Sequence, residues 1–202
     1  MKTRIKTATI SMVLMGIILL LANSCQKVEE SSEIKDKDGN IYTSVTIGTQ
    51  VWMVENLKTT KYKDGTAIPL VTSGFEWIDL TSPGYCFYEN DPNYKDPYGA
   101  LYNGYVVSTG KLCPSGWHVP TDAEWHTLIL HLDANSQYVP SGGYESQIAA
   151  DKLKETGTSH WVSPNTGTNE FGFTALGTGW RSSGSNFYNI KKGSVFWSAT
   201  AG

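Results

Sequence analysis

The strongest constraint on the fold is a capped amphipathic helix predicted within residues 112–132. Thr121 has the side-chain oxygen that an N-cap needs, and Glu124 can accept the Thr121 N–H in return, which makes a capping box. Apolar side chains then recur at the helical spacing i, i+3, i+4, i+7, namely Trp125, Leu128, Ile129 and Leu132. Because this spacing gives one apolar face, we expect the helix to pack on a core, with strands and loops arranged around it.

Alternating residues before this helix predict a β-hairpin. Ile41, Thr43, Val45 and Ile47 would share one face, and a turn at residues 48–50 leads into a second strand over residues 51–57. After the helix, residues 145–155 form a short helix with Ile148, Ala149 and Leu153 directed inward, and residues 171–180 and 194–200 form further strands. The fold class is therefore α+β, with two helices packed on a small irregular antiparallel sheet.

The N-terminus has the pattern of an export signal. Lys2, Arg4 and Lys6 precede an apolar run over residues 10–22, which is too short to span a bilayer comfortably. The run ends at Cys25 in a segment that resembles a lipobox, so residues 1–24 are predicted to be a lipoprotein signal peptide and Cys25 the lipidated residue. Cleavage without lipidation, or a structural disulfide at Cys25, are the alternatives.

The polar segment 25–39 is predicted to be a flexible tether, because it has too few apolar side chains to bury. Lys27, Glu29 and Glu30 resemble the short acidic signal that directs lipoproteins of Bacteroidetes to the outer face of the outer membrane. A solvated charge run is the simpler interpretation. We expect localisation at the outer membrane, with the chain facing the cell exterior.

The charge balance bears on the partner. Without the three basic residues of the signal, the chain has 13 basic and 19 acidic residues and a net charge of about −6. This charge disfavours a nucleic acid as partner. The remaining 178 residues are enough for one domain with its own core.

Metal sites have weak support in the sequence. His126 and His131 are five residues apart and do not share a helix face, so no zinc site is expected, and His118 is predicted to be a hydrogen-bonded structural residue. Asp91, Asn93 and Asp96 are candidate calcium ligands in a polar loop, although an Asx-turn explains the same residues. We predict no cofactor, with calcium as the alternative.

Five ordered blocks together resemble a known family. They span residues 47–69, 85–105, 112–128, 152–181 and 196–200 and include LCPSGWHVPTDAEWHTL and FWSAT. The chain is similar to the Fibrobacter succinogenes major paralogous domain from about Gly39 onward, so we assign residues 40–202 to it. The resemblance implies a C-type lectin-like fold, related to formylglycine-generating enzymes. It also implies closing strands and a further cysteine that the sequence does not contain, so the domain is expected to be incomplete at its C-terminus.

The missing cysteine leaves two arrangements open for Cys86 and Cys113. In the first arrangement, Cys86 and Cys113 form a disulfide with each other. In the second, one of these two cysteines is the partner of the absent cysteine. An exported protein can form either disulfide. Formylglycine-generating enzymes use late cysteines that bind copper, and no cysteine follows Cys113. The resemblance therefore does not carry the activity over.

The late loops of a lectin-like fold are a candidate binding surface. Trp161 and Tyr188, with Asn165 and Asn169, have the stacking and hydrogen-bonding groups that suit a glycan. We therefore predict a non-catalytic, surface-anchored lipoprotein that binds a glycan or a surface protein. An enzyme of the formylglycine-generating type and a degenerate structural fragment are the alternatives.

Overall fold

A computed structural model describes residues 33–139 and 143–200. The predicted signal peptide, the lipidation site Cys25 and the first residues of the tether lie outside the described residues. Among the described residues, no helix reaches the length and apolar character needed to cross a membrane.

The described chain combines short helices with short strands. The helices are α1 Gly74–Ile78, α2 Lys95–Tyr98, α3 Gly104–Ser108, α4 Asp122–Leu132 and α5 Gln147–Leu153, with 3-10 turns at Tyr88–Asn90 and Pro92–Tyr94. The strands are β1 Ile34–Lys35, β2 Ile41–Tyr42, β3 Ser44–Ile47, β4 Gln50–Met53, β5 Tyr85–Cys86, β6 Leu101–Tyr102, β7 Gln137–Val139, β8 Gly143–Glu145, β9 Thr178–Arg181 and β10 Phe187–Ile190.

All strand pairs among the described residues are antiparallel and two-stranded. The pairs are β1–β2, β3–β4, β5–β6, β7–β8 and β9–β10. The predicted mixture of helices and small antiparallel sheets is confirmed. The expectation of two helices is too low, because the three short helices α1 to α3 lie in segments that have no helical periodicity.

The N-terminal boundary of the domain lies earlier than predicted. Residues 34–39 were assigned to the tether, but Ile34 and Lys35 pair with β2, and the intervening Asp36 is buried. The Asp36 carboxylate accepts hydrogen bonds from the Tyr42 hydroxyl at 2.6 Å and from the Asn40 side chain at 2.7 Å. This polar segment is ordered because one buried carboxylate accepts several hydrogen bonds. Amino-acid composition alone does not reveal such a set of hydrogen bonds.

The predicted hairpin is confirmed over β3 and β4, with Ile47 opposite Gln50 and Ser44 opposite Met53. The predicted apolar face is correct for Ile47 and wrong for Ile41, which is 54 % exposed. Tyr42 is buried in its place. The inward face changes between β2 and β3 because the Tyr42 hydroxyl must reach Asp36.

Helix α4 has the predicted capping box. The Thr121 side chain accepts the Glu124 N–H, and the Glu124 side chain accepts the Thr121 N–H at 2.8 Å. Leu128 and Leu132 are buried, and Trp125 and Ile129 pack against the same cluster. The helix is therefore a scaffold element whose start and inward face the sequence predicts correctly.

Helix α5 is shorter than predicted, and its predicted inward face is correct for Ala149 and Leu153 but wrong for Ile148. Ser146 is its N-cap and accepts the Ala149 N–H. Ala149 is buried as expected, whereas Ile148 is 55 % exposed and does not point inward.

The late strands are also shorter than predicted. Of residues 171–180 only the end belongs to a strand, β9, and residues 194–200 contribute a single parallel bridge between Ser194 and Gly179. The strand predicted at residues 194–200 is therefore wrong. Main-chain and side-chain hydrogen bonds to distant residues hold that segment instead.

Candidate functional site

A cavity with a volume of about 530 Å³ lies in the described structure. It is bounded by residues 49–53 of the β3–β4 hairpin, by residues 116–120 before α4, and by residues 195–197. We call this cavity the aromatic cleft. These and the other lining residues come from segments far apart in the chain, so the cleft exists only in the folded domain.

Aromatic rings form one continuous wall of the aromatic cleft. The ring centroids of Trp52 and Trp125 are 4.8 Å apart, and those of Trp125 and Phe196 are 5.5 Å apart. Phe173 completes the group at 5.9 Å from Trp52 and 6.0 Å from Phe196. Such spacings are typical of packed aromatic pairs, and they give the wall a rigid, apolar surface.

Two tryptophan side chains hold the segment 195–197 in place. The Trp197 indole N–H donates to the Tyr102 carbonyl at 2.9 Å, and the Trp125 indole N–H donates to the Trp197 carbonyl at 3.1 Å. Even so, Phe196 and Trp197 remain 43 % and 46 % exposed. The segment is thus anchored while its aromatic side chains stay accessible at the rim.

Two buried polar atoms of cleft-lining residues have no hydrogen-bond partner among the described residues. They are the Gln50 side-chain oxygen and the Trp52 indole nitrogen. The other end of the Gln50 amide donates to the Glu124 carbonyl at 3.0 Å, which fixes the side chain. Buried polar groups are nearly always paired in folded proteins, so an unpaired donor and acceptor beside one cavity are notable.

Glu124 and His118 provide the ionic group at the rim. The His118 Nε2 lies 2.8 Å from Glu124 Oε1, which confirms the predicted hydrogen-bonded role of His118. The Thr121 N–H is the main reason that the pKa of Glu124 lies below its usual range, and the contact with His118 lowers it further. Glu124 therefore stays ionised while it caps α4.

Cys113 also lines the cleft, but its thiol is unsuited to nucleophilic attack. Burial raises the pKa of the Cys113 thiol to about 11, so the reactive thiolate is scarce near neutral pH. Burial raises the pKa of Cys86 as well. Arg181 near Cys86 and Lys63 near Cys113 lower the pKa of these thiols, but the effect of burial is larger.

Of the two arrangements left open for Cys86 and Cys113, the bridge between them is not formed in the structure, where both residues are free thiols. Tyr85 and Tyr102 are register partners on β5 and β6, and they pack in the same cluster as Leu112. Cys86 points to the opposite face of β5 and packs with Val71 and Trp77. Cys86 therefore lies in a different cluster from Leu112, the residue that precedes Cys113.

A comparison of the amino-acid sequence with protein-family models identifies a family. The model described as the Fibrobacter succinogenes major domain matches residues 45–202. The chain belongs to the Fibrobacter succinogenes major domain family. No curated protein matches the chain, and no solved structure matches it. The resemblance predicted from the five sequence blocks is confirmed.

The Fibrobacter succinogenes major domain does not present the predicted late-loop aromatic surface. Trp161 is only 8 % exposed, and its indole N–H donates to the Ala175 carbonyl at 3.0 Å, so the expectation of an exposed ring is wrong. Tyr188 is 44 % exposed and lies beside Trp180. The two ring residues therefore do not form one accessible surface.

The two asparagines predicted to bind a ligand hold loops of the domain together. The Asn165 amide donates to the carbonyls of Glu155 and Gly157, both at 2.7 Å. The Asn169 side chain accepts the Thr174 N–H at 2.8 Å and donates to the Thr174 hydroxyl at 3.0 Å. These contacts occupy the polar atoms that a glycan would use.

The calcium candidates are used in separate local contacts. The Asp91 carboxylate accepts the Asn93 N–H at 2.9 Å and caps a 3-10 turn, while Asp96 forms an ion pair with Lys58. Within the described residues there is no group of three or more histidine, cysteine, aspartate or glutamate side chains placed to hold a metal ion.

Sequence reasoning missed the aromatic cleft of the domain. Trp52 and Phe196 stand in segments predicted to be strands, where a large ring is most simply interpreted as core. The available signal was the number of tryptophans, seven in the chain, which shows a need for aromatic contacts but does not show which rings meet.

Proposed function

We propose that the chain is an exported, lipid-anchored protein whose domain binds a partner at the cell surface without catalysing a reaction. The aromatic cleft is its binding site. The anchor is Cys25, after removal of residues 1–24, and the domain faces the exterior of the outer membrane. A C-type lectin-like arrangement of the domain is part of this proposal.

The observation that carries the proposal is the cleft itself. Ligand sites are commonly cavities of about 300–1,000 Å³ with mostly apolar walls and a few well-placed polar groups. The aromatic cleft has a volume of about 530 Å³, a wall of four rings, and an unpaired donor and acceptor at Trp52 and Gln50. A bound partner would cover the exposed rings of Phe196 and Trp197.

A surface protein is a better-supported partner than a glycan. A glycan needs many directed hydrogen bonds, whereas the aromatic cleft is walled mainly by apolar rings, and Asn165 and Asn169 lie outside its lining. The raised pKa of Cys113 and the pairing of His118 with Glu124 favour binding over covalent catalysis at the cleft.

Binding of an apolar probe tests the site. We expect the mature chain to bind neutral N-phenyl-1-naphthylamine with a rise in probe fluorescence, because the ring wall shields the probe from water. Phe196→Ser should weaken this binding at least tenfold, since Phe196 lines the cleft. The matched control is Phe75→Ser, which removes an 87 % exposed ring of α1 outside the cleft lining and should leave the affinity unchanged.

Two results would count against a binding site in the aromatic cleft. One is that the folded chain does not bind the probe, and the other is that the Phe75 and Phe196 variants lose probe affinity equally. A thermal melt of each variant shows that the affinity is measured on folded protein.

The lipid anchor is tested separately in cells. We expect Cys25→Ser to move the protein from the membrane fraction to the soluble fraction, because the thiol is the proposed acylation site. Lys27→Ser changes a neighbouring side chain without removing the thiol and should leave the protein in the membrane fraction. An unchanged membrane fraction for Cys25→Ser would contradict lipid anchoring.

A further inference from the structure

The aromatic cleft runs along the edge of strand β4 and not only over one of its faces. Successive side chains of a strand point to opposite faces, so a cavity over one face is lined by alternate residues. All five consecutive residues 49–53 line the cleft. The main chain of β4 is therefore part of its wall.

Strand β4 presents unpaired main-chain groups on this edge. The Val54 N–H donates to the Thr43 carbonyl at 3.0 Å, and the register places Trp52 opposite Val45 and Gln50 opposite Ile47. Hydrogen-bonded and non-bonded pairs alternate along an antiparallel ladder, so Trp52 and Gln50 bond to β3. The N–H and C=O groups of Val51 and Met53 consequently point away from β3.

No element of the described chain pairs with this edge. Within residues 33–139 and 143–200, β4 belongs to a two-stranded sheet with β3 alone, and the main chains of Val51 and Met53 donate to and accept from no other residue there. An open edge with free donors and acceptors is a template for a further strand. Its chemistry suits a polypeptide main chain.

The remaining walls define the side chains that such a strand would carry. One face of an added strand would meet the rings of Trp125 and Phe196, which favours apolar residues at alternate positions. Glu55 and Glu124 are among the lining residues, with their carboxylates hydrogen-bonded to Thr43 and to Thr121, and the described part of the lining includes no lysine or arginine. Basic or neutral flanking residues therefore fit the rim better than acidic ones.

We propose that the occupant of the aromatic cleft is an extended segment of a partner polypeptide, apolar at alternate positions and basic at its flanks, which adds as a strand to the open edge of β4. The proposal rests on the cleft being the binding site proposed above. Strand addition provides main-chain hydrogen bonds for affinity, and the ring wall selects the side chains.

The probe for the test is a capped seven-residue peptide of alternating valine and threonine with a lysine at each end. Amide N–H groups of alternate residues point to the same edge of a strand. N-methylation of the valines therefore blocks one edge, and N-methylation of the threonines blocks the other. Affinity for the mature chain is measured by displacement of N-phenyl-1-naphthylamine.

We expect the parent peptide to bind, one methylated analogue to bind at least tenfold more weakly, and the other to bind as the parent does. On binding, amide exchange at Val51 and Met53 should slow at least tenfold, while exchange at Gln50 and Trp52 should not change. Val51→Pro removes one edge N–H that has no bond to β3 and should weaken peptide binding at least tenfold in a folded variant, as checked by its thermal melt.

Strand addition is overturned if the probe binds but the peptide does not, or if both methylated analogues bind alike; the cleft would then remain a binding site for another ligand. A dimer that Val51→Pro dissociates would identify a second copy of the chain as the occupant instead. If neither probe nor peptide binds the folded chain, both proposals are wrong.

Discussion

Replacing Gly179 by alanine is expected to destabilise the domain by about 2–4 kcal/mol. Gly179 lies in β9 with a φ of +62°, a conformation that side chains rarely adopt. An added Cβ would also overlap the main-chain oxygen of Tyr188 and lie 2.6 Å from a ring carbon of Tyr88. Backbone strain and crowding therefore add, and neither obstacle is the end of a flexible side chain.

Gly110 is the matched control for this substitution. Its φ is +63°, and an added Cβ would have no neighbour within 4 Å. Gly110→Ala should therefore destabilise the domain by about 1 kcal/mol, the contribution of the backbone conformation alone. Urea unfolding of both variants measures the difference. If both variants lose the same free energy of unfolding, the contact between β9 and β10 relaxes to accept a methyl group.

Replacing Leu128 by alanine is expected to destabilise the domain by about 2–5 kcal/mol. Leu128 is fully buried on α4, where it packs with Ile47, Trp52 and Phe173. Truncation removes apolar contacts and leaves a cavity that rigid rings cannot fill. Ile148→Ala on α5 is the control, because Ile148 is 55 % exposed and its truncation should change stability by about 0.5 kcal/mol or less.

The Leu128 experiment also tests the role of α4 as a scaffold. Urea unfolding gives the two free energies, and a loss below about 1 kcal/mol for Leu128→Ala would mean that the core collapses around the missing side chain. Because Leu128 shares its cluster with Trp52, a large loss would also show that one wall of the aromatic cleft depends on α4.

Local patterns were predicted better than boundaries and exposure. The capping box at Thr121 and Glu124 and the β3–β4 hairpin depend on residues a few positions apart, and the structure confirms both. The tether boundary was placed too late because Asp36 is ordered by Tyr42 and Asn40, not by apolar burial. The inward direction of Ile148 was wrong because a short helix has too few turns to define its face.

The exposure of aromatic residues could not be predicted from the sequence, because it depends on residues elsewhere in the chain. Trp161 stands in a polar segment that favours exposure, yet the Ala175 carbonyl and the surrounding loop bury it. Phe196 and Trp197 stand in a segment that resembles a strand, yet they are accessible. Flanking residues indicate the local conformation, but the covering residues come from elsewhere in the chain.

The amino-acid sequence by itself determined the family, the α+β class, the start of α4 and the hairpin that leads into β4. These features follow from hydrogen bonds and side-chain spacings within a few residues, and from ordered blocks along the chain. Only the tertiary structure decided where the aromatic cleft lies. Trp125 and Trp197 are 72 positions apart, and Trp52 meets Phe173 across the domain. Contacts at such separations depend on how the domain packs, and within residues 33–139 and 143–200 that packing leaves one edge of β4 unpaired beside a wall of rings.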